Sequence, residues 1–188
     1  MEFNTYREVL AEIYLASEGR LELSPSASMA ELRSFENDLG FPLDPGLRAA
    51  WLEADGGPTW MPVFARPGYL SGYGFLSIEA ATERRRSMKR NAPRYADYVG
   101  PQPRDPRIRA GWFNDGWLPF AELGGGAGIL MQDYCPTQEG TPGQIIAYVH
   151  DPDEVSYVAP GFEDLLEESI AEISTYPEEY IPEPEEFD

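Results

Sequence analysis

The stretch that decides the fold lies in the second half of the chain: Trp117-Leu-Pro-Phe120, Gly128-Ile-Leu-Met-Gln132, Gln144-Ile-Ile-Ala-Tyr-Val-His150 and Val155-Ser-Tyr-Val-Ala159. Each is a short apolar run, and turn residues separate it from the next, which is the pattern of a strand meander. Gly124-Gly-Gly-Ala-Gly128 reads as a tight connection between the first two runs. Asp151-Pro152-Asp153 reads as the hairpin turn before the last. After the meander, Phe162, Leu165, Leu166, Ile170 and Ile173 recur at helical spacing, with Glu163, Asp164, Glu167, Glu168 and Glu172 on the other faces. One face of this helix packs and the rest meets solvent.

Upstream, three short helices are expected. Thr5-x-x-Glu8 has the form of a capping box ahead of Leu10, Ile13 and Tyr14, with Gly19 as the stop. Ser28-x-x-Glu31 repeats the device before Leu32, Phe35 and Leu39, ending at Gly40. Asp44-Pro45 places a capping carboxylate before a proline at the first helical position, and Leu47, Ala50, Trp51 and Ala54 form a stripe closed by Gly56-Gly57. Between Pro58 and Leu76, aromatic residues alternate with Gly and Pro, which suits irregular strands. Ser77 caps a further helix through Arg90, whose Arg84, Arg85, Arg86, Lys89 and Arg90 form a solvated face or pair with acids of the second half. Pro93, Pro101, Pro103 and Pro106 make a surface loop up to Gly111, the best candidate for a mobile segment. The fold class is α+β, with N-terminal helices and a C-terminal helix packed on a central, largely antiparallel β-sheet. One domain is expected over residues 1–175, followed by an extended, acidic, Pro-rich tail over 176–188.

Charge is distributed unevenly. Residues 1–109 hold 15 acidic and 14 basic side chains, whereas residues 110–188 hold 18 acidic and none basic, so nearly all of the net −19 lies in the second part. Such a field repels nucleic-acid phosphates and anionic lipid, and it raises encounter rates with a basic partner by roughly 10- to 1,000-fold at low salt. Direct nucleic-acid binding and membrane binding are disfavoured. No run approaches the roughly 20 apolar residues of a membrane helix, the N-terminus is acidic where a signal peptide is basic, and Cys135 is the sole cysteine. A reducing, cytoplasmic compartment is expected.

The chemistry-bearing residues are few. His150 sits beside Asp151, but neighbours in a strand point to opposite faces, which favours a structural histidine over a general base. Cys135 has no histidine near it in sequence. The glycine run lacks the Lys-Ser/Thr of a phosphate loop. No catalytic residue, metal site or cofactor is expected. Gly140 and Gly143 supply positive φ in a turn, and Gln144 bridges backbone groups at its end. Asp133, beside Tyr134, either caps backbone donors or meets a partner. Trp112 and Trp117 flank Asn114-Asp115-Gly116; Trp117 is the core anchor and Trp112 the exposed ring. Candidate partner-binding residues are Trp112, Asp115, Asp133 and Tyr134, joined by the acidic turn residues Glu139, Asp151 and Asp153.

Taken in order, Trp117-Leu-Pro119-Phe120, Asp133-x-x-Pro136-x-x-x-Gly140-x-x-Gly143-Gln144-Ile-Ile, His150-Asp151 and Val158-Ala-x-x-Phe162-x-x-Leu165-Leu166 resemble the signature of the SUKH superfamily. Leu43-Asp44-Pro45, Trp51-Leu52 and Gly56-Gly57 resemble that superfamily's leucine-proline start and asparagine-glycine-glycine end, with Asp55 where Asn is frequent, so the resemblance spans roughly residues 30–175. It implies helices against a largely antiparallel sheet, with Trp51, Gly57, Trp117, Pro119, Gly140, Gly143, Gln144 and Phe162 as its structural residues. It also implies a bacterial immunity protein that binds and neutralises a cognate toxin domain, often a nuclease, without a cofactor. A regulatory scaffold with several cellular partners is the alternative, implied by a fungal cell-wall synthesis regulator in the same superfamily.

Overall fold

The structure, a computed structural model, describes residues 1–98, 100 and 102–182. Three helices lead: α1 (Phe3–Ala16), α2 (Met29–Leu39) and α3 (Pro45–Glu53). Where the start signal is local, it works as read. Ser28 and Glu31 exchange both bonds of a capping box, Gly40 closes α2 at φ 80°, and the Asp44 carboxylate accepts from the Gly46 and Leu47 amides. The start of α1 differs: Glu2 precedes the helix and Thr5 lies inside it. Phe3 is buried among Tyr6, Phe64 and Phe75, and the Met1 amine pairs with Glu167 at 2.7 Å, so tertiary packing extends the helix beyond its apparent capping box.

Six antiparallel strands follow: β1 (Phe64–Arg66), β2 (Tyr69–Phe75), β3 (Trp117–Leu123), β4 (Gly128–Asp133), β5 (Gln144–Val149) and β6 (Glu154–Ala159). Their order in the sheet is their order in the chain, so the meander is complete and every neighbour is joined by a turn or by the β2–β3 excursion. That excursion contains α4 (Ile78–Asn91), capped by Ser77, and then residues 92–116. The helix α5 (Phe162–Thr175) closes the domain, and the short α6 (Pro177–Tyr180) follows it.

The two faces of the sheet carry different cores. Residues such as Leu118, Phe120, Leu130, Ile145 and Ala147 face α1, α3 and α5 in the main core. There the Phe64 ring meets Phe75, Phe120 and Phe162 at 5.5–6.1 Å between centroids, in the edge-to-face geometry that aromatic quadrupoles favour. Alternate residues, Trp117, Ile129, Met131, Ile146 and Val155, form a second, smaller core on the opposite face. The sheet curls so that α5 touches β1, β5 and β6, and the Arg66 guanidinium of one edge strand donates to Ser156 Oγ of the other at 2.8 Å.

The second core is roofed by residues 92–116. The expected surface loop is therefore anchored: Ile108 is buried, Trp112 is half-buried, and a short 3-10 turn, Ala92–Tyr95, continues α4 over the sheet. Two of its positions, 99 and 101, lie outside the described residues, so the mobility expected there is not addressed. The basic run of α4 divides between the two expected roles. Arg84 Nε donates to the buried Glu122 at 2.7 Å and Lys89 to Asp115 at 2.8 Å, while Arg86 and Arg90 face solvent.

At the C-terminus, the first residues of the extended tail expected from Tyr176 instead form α6. Tyr180 and Ile181 are buried, and the Tyr180 hydroxyl donates to the Tyr69 carbonyl at 3.0 Å, because two apolar side chains among the acids find the end of the main core. Residues 183–188 lie outside the described residues.

Candidate protein-binding groove

The residues singled out in the sequence fall into two groups. At one end of the sheet, the β4–β5 turn gathers Asp133, Tyr134, Glu139, Gly140, Gly143 and Gln144. Asp133 is fully buried: Oδ1 accepts from the Cys135 amide at 3.0 Å and Oδ2 from Gln144 Nε2 at 3.0 Å. Burial raises its pKa and these hydrogen bonds oppose the shift. Of the two readings left open for Asp133, capping is the one its geometry displays, and a carboxylate without exposed surface presents nothing to a partner.

Gln144 Nε2 also donates to the Arg107 carbonyl at 3.2 Å, while Oε1 accepts from the Thr141 amide at 3.2 Å, so this side chain fastens the turn to the 92–116 segment. Gly143 has φ 93°, as expected. Gly140 does not have positive φ; it is required because a Cβ would lie 2.6 Å from Gln144 Oε1 and 2.7 Å from the Arg107 carbonyl. The Tyr134 hydroxyl receives the Asp44 amide at 2.8 Å and donates to Gln132 at 2.6 Å, tying α3 to the sheet. Only Glu139 of this group is solvent-exposed. Asp115 is also exposed, paired with Lys89.

In the amino-terminal part, Trp51 is buried and its indole N–H donates to the Leu76 carbonyl at 2.9 Å. Asp55 accepts from the Ile78 amide at 2.8 Å, adding a second cap to α4. The Gly57 amide donates to the Phe75 carbonyl at 3.0 Å. Pro119 and Phe162 are buried on β3 and at the start of α5. Trp117 is wholly buried in the second core, and its indole N–H has no hydrogen-bond partner among the described residues.

At the other place, Trp112 and Asp153 come together across a groove of about 890 Å³ between the 92–116 segment and the edge strand β6. Tyr95 and Tyr98 pack on Trp112 at 5.0 and 5.4 Å between centroids, and Tyr148 meets the indole edge-on at 6.2 Å. The Tyr148 hydroxyl donates to Asp153, whose Oδ1 also lies 2.9 Å from His150 Nδ1. Burial tends to raise the Asp153 pKa, but the His150 and Tyr148 hydrogen bonds outweigh it and hold the carboxyl low. Asp151 stands exposed at the tip of the same turn.

Two guanidinium groups line the groove, and both are already engaged. Arg107 forms a two-pronged pair with Asp105, at 2.9 and 2.7 Å, and lies 3.3 Å from the centre of the Tyr157 ring. Arg104 stacks on Trp112 at 5.1 Å and donates to the Arg109 and Gly111 carbonyls. Glu154, in the groove wall, takes part in no ion pair among the described residues. Burial raises the Tyr157 pKa and the Arg107 guanidinium opposes the shift.

Sequence reasoning missed Tyr95, Tyr98, Tyr157, Glu154 and the two arginines of this groove. A signal existed for Tyr148 and Tyr157, which share by alternation the sheet face of Ile146 and Val155. For the rest there was none, since residues 92–116 have no periodicity.

The histidine and the cysteine stand apart. His150 is exposed and its partner is Asp153, three residues on, instead of Asp151. Cys135 donates to Asn114 Oδ1 at 2.7 Å, and burial pushes its thiol pKa up, away from the reactive thiolate. His150 pairs across the sheet with Ala127, eight residues before Cys135, so the two lie at opposite ends of β4, roughly 25 Å apart. Among the described residues no group of three or more His, Cys, Asp or Glu side chains is placed to hold a metal, and no helix is long and apolar enough to cross a membrane.

Helices packed against a central antiparallel sheet are what the resemblance to the SUKH superfamily implies, and they are what the chain forms. A comparison with protein families matches residues 26–168 to the SMI1 / KNR4 family (SUKH-1), and the chain belongs to that family. No curated protein matches the chain. Membership fits a toxin-immunity or regulatory role exercised through protein partners.

Proposed function

We propose that this chain is an immunity protein that binds a cognate toxin domain with a basic surface, such as a nuclease, in the bacterial cytoplasm and neutralises it by covering its active site. The observation that carries this reading is a groove walled by aromatic rings and lined by Glu154, which pairs with no cation among the described residues, in a chain whose 18 acids beyond residue 109 are joined by no lysine or arginine of that part. Affinity comes from the aromatic anchors, and the field of the 18 acids beyond residue 109 sets the speed and selectivity of encounter. The same field keeps nucleic acid and anionic membrane away, so a nuclease is met as a protein and not through its substrate. The chain acts by occupancy, without a cofactor and without chemistry of its own.

The test is to produce the chain with the toxin encoded beside it. A stable complex at physiological salt and survival of the producing cells are expected. Free toxin and dying cells would refute the reading. Recovery of several unrelated proteins in place of one basic toxin would favour a regulatory scaffold.

A further inference from the structure

We propose that the groove between residues 92–116 and β6 is the docking site for an arginine-bearing segment of a basic protein partner. The inference rests on the reading above and adds where the partner sits and which side chain it offers. The rings provide the surface: Tyr98 is 39% exposed at the mouth, and Trp112 and Tyr157 line the walls. The chain's own arginines show what these rings accept, since Arg104 and Arg107 each lie over one of them. A guanidinium suits such a wall better than an ammonium because it is planar, weakly hydrated and able to stack.

Charge then selects the occupant. Arg107 is neutralised by Asp105, and Arg104 is held by backbone carbonyls. Glu154 on β6 lines the groove beside Asp153, pairs with no cation among the described residues, and is left to receive one. Aromatic rings with arginines also describe a platform for single-stranded nucleic acid. Here the flanking carboxylates oppose a phosphate backbone, which decides for protein.

The probes are alternating Gly-Arg and Gly-Lys peptides of equal length, titrated into the full chain by calorimetry and mapped by backbone NMR. The arginine peptide is expected to bind about five-fold more tightly, with shifts centred on the groove. Tyr98→Ala, which removes an exposed ring, and Trp112→Ala should each erase that preference. Glu154→Gln should weaken both peptides about three-fold, and Glu12→Gln on α1 neither.

Equal affinities that ignore the groove variants would mean that the peptides follow net charge alone, and the proposal fails. It fails equally if neither peptide binds, or if an oligothymidylate displaces the arginine peptide from the groove. Protection from the toxin with no peptide preference would remove the groove and keep the immunity role; groove binding without protection would do the reverse.

Discussion

His150 shows how a residue's surroundings set its role. Its imidazole is exposed, and the Asp153 carboxylate 2.9 Å away raises its pKa above the ordinary 6.5. A raised folded-state value means that the pair contributes stability below the unfolded pKa, and that the contribution fades as pH climbs through the folded one. NMR titration of the ring should therefore give a value above 6.5 in the parent chain and one nearer 6.5 in Asp153→Asn. An unchanged midpoint would remove Asp153 as the cause. Ser169 is the opposite case, a buried hydroxyl on α5 that accepts the Ala65 amide at 2.8 Å and bonds Tyr6 at 2.8 Å. Ser169→Ala leaves a buried strand amide unpaired, and should lower unfolding free energy by about 1–3 kcal/mol in urea melts. Neither partner was legible in the sequence. Asp153 stands out in the sequence only as an acidic turn residue and Ser169 not at all, because the Asp153–His150 bond needs the folded turn and the Ser169–Ala65 bond joins residues distant in the chain.

Elements were legible in proportion to how local their signals are. The capping box of α2 and the Asp44-Pro45 start of α3 are written within four residues, and both form. The last four strands were visible as apolar runs, and their consecutive pairing followed from the turns between them, whereas β2 and β3 pair across the long α4 excursion. The beginning of α1 was not visible, because burial of Phe3 overrides a nearby Thr-x-x-Glu. Residues 93–111 read as a surface loop, and the described ones are largely irregular; what the sequence does not reveal, for want of periodicity, is that Ile108 and Trp112 hold the segment to the second core. The Gly56-Gly57 turn was recognised through Gly57, yet Gly56 has the stricter demand. It has φ 79° and a Cβ there would lie 2.4 Å from the Ser77 amide nitrogen, at the start of α4. Gly56→Ala should cost more than about 2 kcal/mol, seen as a lower denaturation midpoint. α4 is itself fixed to β3 through Arg84 and the buried Glu122. Glu122→Gln strips the charge from that half-buried pair, and should cost about 1–3 kcal/mol in the same measurement, reduced to the extent that water reaches Arg84.

For the whole molecule, two asymmetries coincide. The sheet has one face buried by α1, α3 and α5 and one covered by the end of α4 and the irregular segment after it, and the edge of that cover opens as the aromatic groove. The charge is likewise one-sided, with every lysine and arginine at or before Arg109. The charge asymmetry was plain in the sequence, whereas the groove was not, because it is assembled from residues 95 to 157 without a shared motif. Together they support the reading proposed above, in which a basic protein is met quickly through charge and held by rings. The direct measurement is the association rate constant between the chain and the toxin encoded beside it, followed by stopped-flow fluorescence from about 0.02 to about 0.5 M salt. The account predicts a complex whose association slows at least ten-fold over that range while dissociation changes little. A rate indifferent to salt, or no complex at any salt, would contradict it.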